Sequence, residues 1–230
     1  MNWFLLQIDT LNSALQTASG TQANPEISLM DMLSKGGILM IPLGLLFVIA
    51  VYVFIERLLY VRKASRLDEN FMNIIRDNVV SGNVSAARSM AKNTNNPVAR
   101  IIDKGIQRIG KPIDAIEKSM ENVGKLEMYK MERNMNILAL IAGIAPMTGF
   151  LGTIFGMFQL FFRLASTGEF TIQSMADGIY TKLISSAVGL IIGLLAYIAH
   201  NYLNTQIDKT ANRMEASSAE FVDILQEPTR

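Results

Sequence analysis

The chain has 230 residues, 50% of them hydrophobic and 18% charged, with 21 Lys/Arg against 20 Asp/Glu, no cysteine and one histidine. The near balance of charge argues against a general nucleic-acid binder. The absence of cysteine excludes disulfides and thiol catalysis, and a single histidine excludes a multi-histidine metal centre. The apolar residues are blocky: 36–55, 134–162 and 183–207 hold no Asp, Glu, Lys or Arg, which makes uncharged runs of 20, 29 and 25 residues. A bilayer core of ~30 Å needs ~20 apolar helical residues. These runs exclude an ordinary globular enzyme. They predict an all-α integral membrane protein with three transmembrane helices, the second and third extended into the cytoplasm, plus a small helical cytoplasmic region.

In chain order, Phe4, Ile8, Leu11 and Leu15 recur at helical spacing, and Trp3 beside Phe4 suits a membrane interface. Residues 1–27 are therefore expected to form an interfacial amphipathic helix and a linker, without the basic and long apolar regions of a cleaved signal peptide. The first span is placed at 37–58, closed by Glu56 and Arg57, an interfacial pair of charges. A polar helical region follows over 59–133, broken at Ser81-Gly82-Asn83, at 93–97 and at Gly110-Lys111-Pro112. Its stripes are Leu67, Phe71, Ile74 and Ile75, then Val98, Ile101, Ile102, Gly105, Ile106 and Ile109. Pro112 suits a helix start, and no stop follows, so one helix is expected from there through the second span at 134–163. After a loop at 164–180, the third span is placed at 181–203. It should continue over 204–230 as an amphipathic helix along Ile207, Ala211, Met214, Ser218, Phe221 and Leu225.

Basic residues set the orientation. Residues 57–133 hold 15 Lys/Arg and the tail after 207 holds three, against Lys35, Arg163 and Lys182 on the other side. The N-terminus and the 164–180 loop should face outward, and 59–133 and the C-terminal tail should be cytoplasmic.

The second span carries a small-residue stripe, Ala145, Gly149, Gly152 and Gly156, and the third a matching one, Ser185, Gly189, Gly193 and Ala196. Such stripes let helices approach closely in lipid. With so little apolar bulk, they are expected to face neighbouring subunits. Pro146 frees a carbonyl near Ala142. Thr153 and Ser186 lie beside the stripes, either bonded to their own backbone or lining an ion path. Asp177, Lys182 and His200 sit near span ends. No phosphate loop, nucleophile set or metal spacing is present, so neither cofactor nor metal is expected and the chain reads as a non-enzyme.

The run Pro146-Met-Thr-Gly-Phe-Leu-Gly-Thr-Ile-Phe-Gly-Met157 resembles the second-span signature of the MotA/TolQ/ExbB proton-channel family. Met175-Ala-Asp-Gly-Ile-Tyr-Thr-Lys-Leu183 and Ser186-Ala-Val-Gly-Leu190 are similar to its third span. Gly36-Gly-Ile-Leu-Met-Ile-Pro42 and Ile55-Glu-Arg-Leu58 are similar to its first. The resemblance covers about residues 28–220 and is strongest to ExbB-type members. It implies a homopentamer in the bacterial inner membrane around a one-span partner dimer of the ExbD/TolR type, serving a TonB-like protein, with a TolQ-like role as the alternative. It also implies an ion path lined by Thr153 and Ser186, with Pro146 and Thr181 alongside. Thr181 stands where ExbB-type chains often carry glutamate, Leu195 replaces a proline, and His200-Asn201 replaces a Tyr-Asn pair. A non-conducting scaffold is the rival outside that mechanism.

Overall fold

The computed structural model describes residues 38–68, 70–168 and 172–226, without the side chains of 167, 172–174, 177, 178 and 181. The expected interfacial helix and linker at 1–27 lie outside the described residues. The described residues are mostly helical: α1 (Met40–Ser65), α2 (Phe71–Val80), α3 (Val84–Asn93), α4 (Pro97–Ile106), α5 (Ile113–Glu132), α6 (Met135–Thr167) and α7 (Ile172–Gln226). Three stretches are long and apolar enough to cross a membrane: Met40–Ser65, one within Ile113–Ser166, and one within Lys182–Gln226. The all-α class with three spans is borne out.

Four boundaries differ from expectation. α1 does not stop at its charges but runs on through Arg62 and Lys63 to Ser65. Most of the expected 164–180 loop is helical, because α6 reaches Thr167 and α7 begins at Ile172. Gly168 closes α6 at φ 66° and donates its N–H to the Leu164 carbonyl at 3.1 Å, a left-handed cap that glycine adopts without a Cβ clash. Pro112 precedes its helix as the N-cap residue.

The fourth difference is the largest. The single helix expected from Pro112 through the second span is two helices, broken at Arg133 and Asn134. Arg133 is extended (φ −52°, ψ 133°) and Asn134 is left-handed (φ 65°), a conformation asparagine tolerates better than most residues. In an unbroken helix the Lys130 carbonyl would accept from the Asn134 N–H. Here it accepts from Arg57 Nη1 at 3.2 Å. A cation from α1 thus caps the C-terminal, negative end of α5.

At the basic end of the spans, α2–α5 pack around the extensions of α1 and α7. Phe71, Ile75, Ile101, Ile102, Met120, Met131 and Phe221 are fully buried there. Gly105 makes this possible: a Cβ on it would lie 2.6 Å from the Phe221 ring and 2.7 Å from Met120 Sδ. The last carbonyls of α1 are satisfied from distant helices. Asn96 Nδ2 donates to Ala64 and Arg66 at 2.8 Å each, and its Oδ1 accepts from Val98 N to start α4. Arg213 of α7 donates to the Ser65 carbonyl at 3.0 Å. On the outer face of α5, hydrogen bonds from Lys118 and Lys125, reinforced by their charges, hold the exposed Glu121 carboxyl down at about 2, so it stays ionised.

Along the spans the outward surface is apolar. Phe150, Phe155, Phe158, Phe161 and Phe162 on α6 and Leu190, Ile191, Leu194 and Ile198 on α7 are each at least half exposed. A patch of that size belongs against lipid or other helices.

Candidate functional site

The small-residue stripes of α6 and α7 meet each other. A Cβ on Gly189 would lie 2.6 Å from the Ala145 carbonyl oxygen and 2.9 Å from Gly149 Cα. One on Gly149 would lie 2.8 Å from the Ser185 carbonyl oxygen and 3.1 Å from Ser186 Cα. One on Gly152 would meet Ser185 Oγ at 2.6 Å, and one on Gly156 would overlap the aliphatic stem of Lys182. Residue numbers rise along one helix as they fall along the other, so the pair is antiparallel with its backbones in contact. The expectation that the stripes face neighbouring subunits is therefore corrected. Each stripe is occupied by the other within one chain, because a glycine notch fits the opposing backbone more closely than any side chain.

Pro146 belongs to this seam. It has no N–H, so the Ala142 carbonyl loses its helical donor. That oxygen lies 3.0 Å from where a Gly193 Cβ would stand, and the proline ring fills the notch over Gly193 at 2.5 Å. A glycine Cα–H facing a carbonyl is a weak but recurring helix contact.

The hydroxyls divide into two groups. Ser185 is buried (1% exposed), opposes Gly152 and donates to the Lys182 carbonyl at 2.9 Å. Thr153 is partly exposed and donates to the Phe150 carbonyl at 2.7 Å. Ser186 is partly exposed and has no hydrogen-bond partner among the described residues. Thr153 follows Gly152 by one residue, and Ser186 follows Ser185 by one. In two right-handed antiparallel helices, a step of ~100° from facing positions carries both side chains to the same flank of the pair. Thr148, not singled out from the sequence, donates to the Ile144 carbonyl at 2.9 Å. The side chains of Thr181 and Asp177 lie outside the described residues.

No titratable Asp, Glu, Lys, Arg or His occurs in 135–162 or 183–199. Lys182 bounds the seam at one end, its stem laid across Gly156. His200 lies beyond it at the other end, with Nε2 3.0 Å from Asn204 Nδ2 and a buried, unpartnered Nδ1. Glu56 and Arg57 form an ion pair. Arg57 is not at a free membrane edge as expected: it is 5% exposed, caps α5 and sits 5.1 Å from the Tyr60 ring centroid. Sequence reasoning also missed buried Glu127, which pairs with Arg100 and, at 2.7 Å, with Lys130. No group of three or more metal-ligating side chains occurs among the described residues.

Comparison with known proteins agrees with this architecture. The MotA/TolQ/ExbB proton channel family matches residues 93–216, more than half of the chain. The chain is 28% identical over 192 residues to a biopolymer transport protein ExbB homolog of Methanothermobacter thermautotrophicus, covering 82% of this chain and 67% of that protein. It is 31% identical over 97 residues to the Tol-Pal system protein TolQ of Haemophilus influenzae, covering 42% of this chain and 41% of TolQ. Against the biopolymer transport protein ExbB of Neisseria gonorrhoeae it is 31% identical over 77 residues, covering 34% and 35%. The matches to these last two thus span less than half of either relative. Three apolar spans, the glycine-notched second and third helices and the family match over both of these lead to one conclusion: this is an integral membrane protein that belongs to the MotA/TolQ/ExbB proton channel family.

Proposed function

We propose that this chain is the proton-path subunit of a motor in the bacterial inner membrane, coupling proton-motive force to TonB-dependent transport in the manner of an ExbB-type protein. Thr153 and Ser186 on one flank of the α6–α7 pair carry this reading. They form a polar strip along segments, 135–162 and 183–199, that hold no Asp, Glu, Lys, Arg or His. Hydroxyls order water and relay hydrogen bonds, but they do not titrate near neutral pH. A proton crossing lipid benefits from an ionisable waypoint. That waypoint is assigned to a carboxylate on a one-span ExbD/TolR-like partner dimer, enclosed by a homopentamer of this chain, with Thr181 and Pro146 near the same path. A carboxylate there would have its pKa raised by burial and so could load and release protons. The chain's own part is conduction and support rather than catalysis.

The test is proton flux into liposomes that hold the chain with its partner. Thr153→Val combined with Ser186→Ala should lower flux at least ten-fold, or about 1.4 kcal/mol in barrier, while the assembly keeps its mass. Unchanged flux would leave only a scaffold role. The chain alone should conduct poorly, and full flux without the partner would remove the partner carboxylate from the mechanism.

The similarity to TolQ supports a second reading, a subunit of an envelope-maintenance motor. Disrupting the gene separates the two: loss of TonB-dependent uptake supports the first, and envelope leakage with intact uptake supports the second.

We infer a periplasmic N-terminus and a cytoplasmic C-terminus from Arg57, Arg62, Lys63 and Arg66 at the end of the first span. An impermeant thiol reagent should label cysteines introduced at Thr21 and Thr167 from outside the cell and leave Asn95 and Thr229 unlabelled. The reverse pattern would invert the orientation.

A further inference from the structure

A groove of about 590 Å³ runs between α1 and α7, walled by Phe47, Phe54, Leu58, Leu195 and Tyr202 and ending at Arg62. Fifteen residues of α1 separate Phe47 from Arg62, or ~22 Å at 1.5 Å per residue. That is one hydrocarbon leaflet of ~15 Å together with the depth of a headgroup. The wall is apolar along its length, and its polar groups sit at one end. The Arg62 guanidinium and the Tyr202 hydroxyl have no hydrogen-bond or ion-pair partner among the described residues. Lys63 and Arg66 are exposed beside Arg62 at the end of α1, while the acidic residue nearest in α1, Glu56, is already paired with Arg57. An apolar channel one leaflet long, with a free cation and a free hydroxyl at headgroup depth, matches an acyl chain carrying an anionic head.

We propose that this groove is a binding site for one anionic phospholipid, one of its acyl chains between α1 and α7 and its phosphate held by Arg62 and Tyr202. Lys63 and Arg66 draw anionic headgroups to the mouth, and Arg62 supplies the direct contact. A phosphate beside a juxtamembrane arginine gains ~1 kcal/mol, which is about five-fold in affinity. The bound lipid fills the space that α1 leaves against α7, so its loss should loosen α1 from the other two spans. The site draws only on the membrane setting of the chain and is independent of the ion-path reading.

The test uses the full-length chain as its native assembly in nanodiscs of equal phosphatidylglycerol and phosphatidylcholine, with native mass spectrometry reading the lipid retained after delipidation. The parent should retain phosphatidylglycerol in preference to phosphatidylcholine. Arg62→Gln should cut that preference about five-fold, Arg62→Lys should restore most of it, and Arg108→Gln should leave it unchanged. Ala199→Trp, on the groove wall, should abolish retention of both lipids without changing the number of subunits. Equal retention of the two lipids by the parent, or unchanged preference in Arg62→Gln, would reduce the groove to ordinary annular contact. Displacement of the lipid by inorganic phosphate would remove the acyl chain's role. A changed subunit number in Ala199→Trp would make the groove a contact between copies. Each of these four results would overturn the proposal.

Discussion

Replacing Gly189 with leucine is expected to unfold the membrane half of the chain, and replacing it with alanine to destabilise it measurably. A single Cβ there would lie 2.6 Å from the Ala145 carbonyl oxygen and 2.9 Å from Gly149 Cα. Both obstacles are backbone, so no rotamer change can relieve the clash, and the helices must separate along their whole contact. Overpacking a well-filled interior costs ~1–3 kcal/mol when side chains can adjust. Gly189→Ala should fall in that range, and Gly189→Leu should exceed it. Gly143 and Gly44 have nothing within 4 Å of a Cβ, so Gly143→Leu and Gly44→Leu should leave stability near the parent's. Thermal unfolding of the purified protein in detergent compares the four. A midpoint for Gly189→Leu equal to that of Gly143→Leu would mean that α6 and α7 do not pack through these notches.

The second large effect should come from Glu127→Ala. The carboxylate is 1% exposed and engages Arg100 and Lys130, while Arg100 Nη2 also donates to Asn95 Oδ1 at 2.5 Å. Removing one partner of a buried pair costs ~3–5 kcal/mol. The two cations here are each more than a third exposed, at 38% and 43%, and can rehydrate. The cost should therefore fall near the bottom of that range, about 3 kcal/mol, or a fall of roughly 6–12 °C in midpoint for a chain of this size. Glu127→Gln keeps the shape and some hydrogen bonding and should lose less than half as much. A midpoint for Glu127→Ala within ~1 °C of the parent's would show that the network contributes no net stability.

These two sites differ in how far the sequence reveals them. The glycine stripes were legible, because spacings of three and four define a helix face whatever lies opposite. Their partner was not, since periodicity names a face but not what meets it. The stripe from Val98 to Ile106 was legible for the same reason, and Val98, Ile101, Ile102 and Ile106 are all buried. Glu127 was hidden: its partner Arg100 is 27 residues away on another helix, and a lone glutamate in a polar helix reads as solvated. The break at Asn134 was hidden as well. No proline or glycine marks it, and the group that replaces the lost backbone bond, Arg57, is 73 residues from the carbonyl it serves. Asn96 signalled a break in the sequence, yet its grip on the end of α1 depends on contacts 30 and 32 positions back.

The contrast between the two long helices has a mechanical consequence. α7 is continuous from Ile172 to Gln226, 55 residues or ~82 Å, and so acts as a stiff lever. A tilt of about 5° at its membrane end would swing its far end by roughly 7 Å at that length. α6 and α5 cover a similar distance but are jointed at Arg133 and Asn134, and that joint is held by one guanidinium from α1. Force applied among the spans would thus travel along α7 undiminished and bend the other column at its joint. One side of the chain transmits displacement while the other absorbs it.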